Sequence, residues 1–111
     1  MLNKELLLIG GGVPATVTFT LEKQESRKEG DVFEVDIEYG GKSHRLSLNY
    51  GWGPKSLTLP YSGDYASASS VRGSGYIVTY YTPPHVFAQD TGEDPYGFVN
   101  IQPGDEIVFV W

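Results

Sequence analysis

Between Ala15 and Leu21 the chain alternates: Val17, Phe19 and Leu21 are apolar, with Thr16, Thr18 and Thr20 between them. Side chains on an extended strand point to opposite faces with period two. The segment therefore predicts a half-buried strand, and the β-branched threonines favour that backbone. Glu22 to Gly30 is polar, mixed in charge and closed by glycine, as a solvated loop would be. From Asp31 onward the alternation returns, with Phe33, Val35, Ile37 and Tyr39 on one face and Glu34, Asp36 and Glu38 on the other, followed by Gly40-Gly41. A two-residue hairpin turn needs residues free to take positive φ, and glycine does so without steric cost. A tight turn sets Tyr39 opposite Lys42. Ile37 then faces His44, Val35 faces Leu46 and Phe33 faces Leu48 on the buried side. On the solvent side Glu38 meets Ser43, Asp36 meets Arg45 and Glu34 meets Ser47. Apolar pairs on one face and an acid-base pair on the other support the same register independently.

After Tyr50 the texture changes. Gly51-Trp52-Gly53-Pro54 reads as a loop, Ser56 to Leu59 as a short strand ended by Pro60, and Tyr61 to Ser70 as an irregular Ser/Gly/Tyr stretch. Gly75 to Thr82 has strong strand composition and stops at Pro83-Pro84, and Thr91 to Gly97 is a further loop. Phe98 to Ile101, Pro103-Gly104-Asp105 and Glu106 to Trp111 read as strand, turn and strand, with Pro103 presetting φ and Gly104 accepting a positive one. Ile107 through Trp111 are all apolar, so both faces of this strand are expected to be covered, by a central place in a sheet or by a partner. Leu6 to Ile9 fits a further strand. No segment holds a helical period over eleven residues.

The fold expected is all-β: one domain over residues 1–111, a β-sandwich of jelly-roll or Ig-like type with about seven to nine short, mostly antiparallel strands. A small β-barrel is the alternative. Composition agrees, since 40% of residues are apolar and 14% aromatic, which excludes a disordered, collagen-like or coiled-coil chain. The absence of cysteine removes disulfides, thiolate metal sites and cysteine nucleophiles. A net charge of −6 argues against nucleic acid as the main partner, because phosphate contacts need clustered Lys and Arg. No stretch approaches the roughly 20 apolar residues of a membrane-spanning helix. The short run Leu6 to Ile9, preceded by Glu5 and followed by glycines, makes a poor export signal, so a cytoplasmic or particle-associated location is expected.

Candidate chemistry is sparse. Gly10-Gly11-Gly12-Val13-Pro14-Ala15 formally matches a dinucleotide fingerprint, but an alternating strand follows where that chemistry needs a helix N-terminus. His44 belongs near the hairpin tip as a hydrogen-bonded structural residue. His85, in a loop, has Asp90, Glu93 and Asp94 nearby, and those three acids around a glycine are weak candidates for calcium. Ser74 lies between glycines without completing a nucleophile elbow, and no catalytic residue is assigned. The acidic stripe Glu34, Asp36 and Glu38 reads as a solvated face that discourages edge-to-edge aggregation.

The aromatic residues carry more. Tyr50, Trp52, Tyr61, Tyr65 and Tyr96 fall in or beside Gly/Ser/Pro-rich segments, where aromatics give rigid contact area for proteins or sugars. The expected function is therefore that of a non-enzymatic structural or assembly protein packing against copies of itself or other protein partners. A short all-β chain without cysteine shares the general character of bacteriophage virion components, such as tail or head-decoration proteins, although no motif carries that likeness. The alternative is a carbohydrate-binding module that uses the loop aromatics on a glycan, with calcium in the 90–94 loop.

Overall fold

The computed structural model describes residues 8–9, 13–23, 29–49, 51–73, 79–89 and 96–111. The strands are β1 (Leu8–Ile9), β2 (Val13–Pro14), β3 (Thr16–Glu22), β4 (Val32–Tyr39), β5 (Lys42–Asn49), β6 (Lys55–Pro60), β7 (Ala66–Gly73), β8 (Thr79–Tyr81), β9 (Phe87–Ala88), β10 (Tyr96–Val99) and β11 (Glu106–Val110). β1 and β2 pair as a small ribbon. The other nine strands form a five-stranded sheet, β5-β4-β7-β10-β9, and a four-stranded sheet, β6-β3-β11-β8. The protein is thus an all-β sandwich. The barrel alternative fails because β5 and β9 end one sheet while β6 and β8 end the other.

The β4–β5 hairpin has the expected register at every pair from Phe33↔Leu48 to Tyr39↔Lys42. Gly40 and Gly41 take φ of 63° and 78°, the two left-handed residues that match a tight turn to the strand twist. On the outer face Arg45 Nε donates to Asp36 Oδ1 at 2.7 Å and Nη2 to Oδ2 at 3.0 Å, while Ser47 Oγ donates to Glu34 Oε2 at 2.8 Å. His44 stands opposite Ile37 as expected, but it is only half-buried, and its ring has no hydrogen-bond partner among the described residues.

β3 buries Val17, Phe19 and Leu21 and turns its threonines outward, where Thr18 bonds Thr58 and Thr20 bonds both Ser56 and Glu106. β11 runs parallel to β3 and antiparallel to β8, so the apolar C-terminal strand is central. Ile107, Phe109 and Trp111 are fully buried, whereas Val108 and Val110 on its outer face are only half-covered. The Pro103-Gly104 turn forms as expected, with Gly104 at φ 91° and Asp105 N–H donating to Gln102 O at 3.1 Å. It carries the chain from one sheet to the other, because β10 and β11 lie in different sheets.

Two segments expected as loop are strand. Tyr61 to Ser70 was too poor in apolar and β-branched residues to predict a strand, yet Ala66–Gly73 is β7, the middle of the five-stranded sheet. Ala66 and Ala68 are buried there, and pairing to β4 and β10 on both sides overrides the low strand propensity of Ala and Ser. Likewise Tyr96 and Gly97 open β10 and pair with Ala68 and Ser67. Of Gly75 to Thr82, Thr79–Tyr81 is strand and residues 75–78 lie outside those described.

The core is joined across the sheets by aromatic contacts. Trp111 stacks on Phe33 with centroids 5.4 Å apart, and Phe98 meets both Phe109 and Tyr80 edge-on. At the hairpin tip, a Cβ added to Gly40 would stand 2.8 Å from Ser62 Cβ, whereas one on Gly41 would meet nothing within 4 Å. Gly41→Ala should cost only the left-handed strain of about 1–2 kcal/mol. Gly40→Ala should cost that plus roughly 1–3 kcal/mol of overpacking. Urea unfolding of the two variants checks the order.

Candidate functional site

Tyr39 and Tyr61 hold the β6–β7 connection where the chain changes sheets. Tyr39 OH donates to Gly63 O at 2.7 Å and accepts from Ser62 N–H at 2.8 Å. Tyr61 OH donates to Ile101 O at 2.9 Å, and Ile101 N–H reaches back to Asp64 O at 3.0 Å. Burial pushes both phenols above their ordinary pKa, so both remain protonated donors at neutral pH. Tyr61, a candidate binding residue, is thereby occupied with structure: its hydroxyl closes the turn and its ring packs on the core.

The remaining aromatic candidates do not converge. Tyr65 is half-exposed, with its hydroxyl against Gly97 of β10. Trp52 is exposed in the β5–β6 connection, with Lys55 Nζ 4.7 Å above its ring centroid. The connection holding Trp52 follows β5, and Tyr65 lies near the β4–β5 turn that precedes β5. The length of that eight-residue strand, about 25 Å at 3.3 Å per residue, separates them. They cannot form one stacking platform. Tyr96 lies in a strand, not the expected loop, and Tyr50 lies outside the described residues.

His85 does not collect the acids expected beside it. Its Nε2 is 2.7 Å from Oδ2 of Asp105, which also accepts Gln102 N–H at 2.8 Å, and its carbonyl accepts from Asn100 Nδ2 at 2.9 Å. Asn100 takes φ 66°, the left-handed conformation that Asn tolerates best after glycine. This node pins the β8–β9 connection to the β10–β11 turn. Asp90, Glu93 and Asp94, the calcium candidates, lie outside the described residues. Among the described residues no three His, Asp or Glu side chains are grouped to hold a metal, and no helix is long and apolar enough to cross a membrane. The glycines of the dinucleotide-like motif also lie outside them, and β2, not a helix, follows.

Among the described residues, the largest aromatic exposures lie outside the five candidate tyrosine and tryptophan residues. Tyr81 is 62% exposed and Phe87 59% exposed, on either side of Pro83-Pro84 in the short strands β8 and β9 that end the two sheets. Tyr81 pairs with Val108 on the outer face of the four-stranded sheet, and Phe87 with Val99 on the outer face of the five-stranded sheet. The sequence signal was the Tyr80-Tyr81 dipeptide: adjacent strand residues face opposite ways, so only one of the two can enter the core.

Comparison with protein-family models, characterised proteins and solved structures found no match to the chain.

Asp105→Ala should destabilise the protein by about 2 kcal/mol in urea unfolding at neutral pH, because it strips a charged acceptor from the Gln102 amide and from His85. The hydrogen-bonded Arg45 guanidinium holds the Asp36 carboxyl below the usual carboxylate range. The pair therefore contributes stability above the unfolded value of about 3.9 and loses it as pH falls through the lower folded value. Arg45→Met should flatten that part of the acid unfolding curve below about pH 4. The change should be small, since exposed ion pairs are weak.

Proposed function

We propose that the protein is a non-enzymatic assembly protein that packs against copies of itself through the β8–β9 edge. The observation supporting this is the pair of exposed aromatics there, Tyr81 with Val108 and Phe87 with Val99 beside their own sheets. Each ring stands exposed beside a half-buried valine of its own sheet, an apolar patch that favours a protein contact. The two patches lie on opposite outer faces of one edge. Each copy can then touch two neighbours by different surfaces, the heterologous geometry that builds rings and filaments. A virion component of tail or head-decoration type would use such a geometry. The edge strands themselves have only three and two residues and are followed or preceded by proline, so side-chain packing rather than strand addition is the mode proposed.

Size-exclusion chromatography with light scattering on the full chain tests the reading. A discrete oligomer is expected, dissociating in Tyr81→Ser and Phe87→Ser variants whose circular dichroism is unchanged. A wild-type protein that stays monomeric at high concentration would overturn it.

A further inference from the structure

On the outer face of the five-stranded sheet, Ser43, Glu38, Ser67 and Gly97 form one row across β5, β4, β7 and β10. Gly97 ends the row without a side chain, and Tyr65 takes the space: a Cβ there would stand 2.9 Å from the Tyr65 hydroxyl. The neighbouring turn is Gly40-Gly41, which adds no side chain to close the opening. The result is an open groove of about 400 Å³, lined by Glu38, Lys42, Ser43, Tyr65 and Ser67 with the two turn glycines. That volume lies within the range of small-molecule sites.

The polar groups of the groove remain available. Along the acidic stripe, Asp36 is held by Arg45 and Glu34 accepts from Ser47, whereas Glu38 has no side-chain partner among the described residues and is exposed. Lys42, Ser43 and Ser67 likewise make no side-chain hydrogen bond among the described residues. The groove therefore offers a carboxylate acceptor, two hydroxyls and a half-exposed aromatic, whereas Lys42 contributes from the turn, its side chain starting on the Tyr39 face. An organic cation would gain Glu38 and Tyr65 but leave the two hydroxyls unused, and an anion would meet Glu38. A neutral ligand with hydroxyls around its rim and an apolar C–H face uses every group without repulsion.

The geometry points to a binding site for one uncharged pyranose residue of a glycan, its C–H face on Tyr65 and its hydroxyls on Glu38, Ser43 and Ser67. The site is independent of the β8–β9 edge.

Amide NMR titration of the full chain tests it, with methyl glycosides of glucose, galactose, mannose and N-acetylglucosamine as probes, and choline and inorganic phosphate alongside. At least one glycoside is expected to shift the amides of Gly40, Gly41, Tyr65, Ser67 and Gly97, with affinity near the millimolar range. Tyr65→Ala should weaken that binding up to about tenfold, the scale of one aromatic contact, and Glu38→Gln should weaken it too. Gly97→Ala, which displaces the Tyr65 hydroxyl, should weaken it as well, whereas Trp52→Ala at the far end should leave it unchanged. Failure of all four glycosides to shift these amides would overturn the proposal. So would tighter binding of choline or phosphate at the groove, or a Tyr65→Ala variant that is folded and binds as the wild type does.

Discussion

The parallel ladder between β3 and β11 joins the first long strand of the sandwich to the last, across a separation of 86 residues at the Thr20–Glu106 hydrogen bond. Without β11 the four-stranded sheet has no link between the β3–β6 pair and β8. The ladder is extended at both ends: Gly104 N–H donates to Thr16 O, Thr18 N–H to Asp105 O, and Trp111 N–H to Glu22 O. Trp111 then stacks on Phe33 and ties the end of that ladder to the opposite sheet. Such long-range pairing is costly to form, because the chain between must be ordered before the contacts stabilise it. The polar node of His85, Asp105 and Gln102 sits where β11 begins, and so acts on the placement of this strand.

The middle of the other sheet carries small residues along β7. Phe19, Phe98 and Phe109 project into the space between the layers, and Phe98 and Phe109 meet with centroids 5.7 Å apart. Large residues filling the interior from β3, β10 and β11 suit small ones on β7, where Ala66 and Ala68 face inward. Volume complementarity across facing layers is what a close-packed core demands. On the outside of the same strand, Ser67 beside Gly97 leaves the hollow that Tyr65 covers. One run of small residues thus serves the core on one face and the groove on the other.

Legibility in the sequence followed how many independent constraints each segment carried. The β4–β5 hairpin was readable to the residue because a turn dipeptide, an apolar face and an acid-base pair all required one register. β3 was readable from alternation alone. β7 was not, since Ala and Ser differ too little in hydropathy to show a period, and its strand character comes from its neighbours. Sheet membership was also hidden: Pro103-Gly104 makes the same local turn whether the chain doubles back or crosses between sheets. The aromatic candidates show a similar split. Position beside Gly and Ser identified Tyr61 and Tyr65 as surface-proximal, but the Ile101 carbonyl that Tyr61 bonds and the Gly97 backbone that Tyr65 covers lie 40 and 32 residues away. Tyr81 and Phe87 were missed because alternation tells that Tyr80 and Tyr81 part ways without telling which faces water.

These differences bear on what the aromatic excess means. Phe19, Phe33, Phe98, Phe109 and Trp111 are fully buried, and Tyr39 and Tyr61 fasten backbone, so most of the described aromatic surface stabilises the sandwich itself. The exposed remainder divides by surroundings. Tyr81 and Phe87 lie beside valines, where burying their rings removes apolar area from water and suits a protein contact. Tyr65 lies beside a carboxylate and hydroxyls, where burying a protein surface would strand polar groups but a polyhydroxylated ligand would satisfy them. The acidic stripe separates further in the same way: Asp36 and Glu34 are engaged within the hairpin, and Glu38 alone of the three turns its carboxylate to the groove. A solvated face and a binding surface are therefore two parts of one strand, distinguished by which acids the neighbouring strand has already engaged.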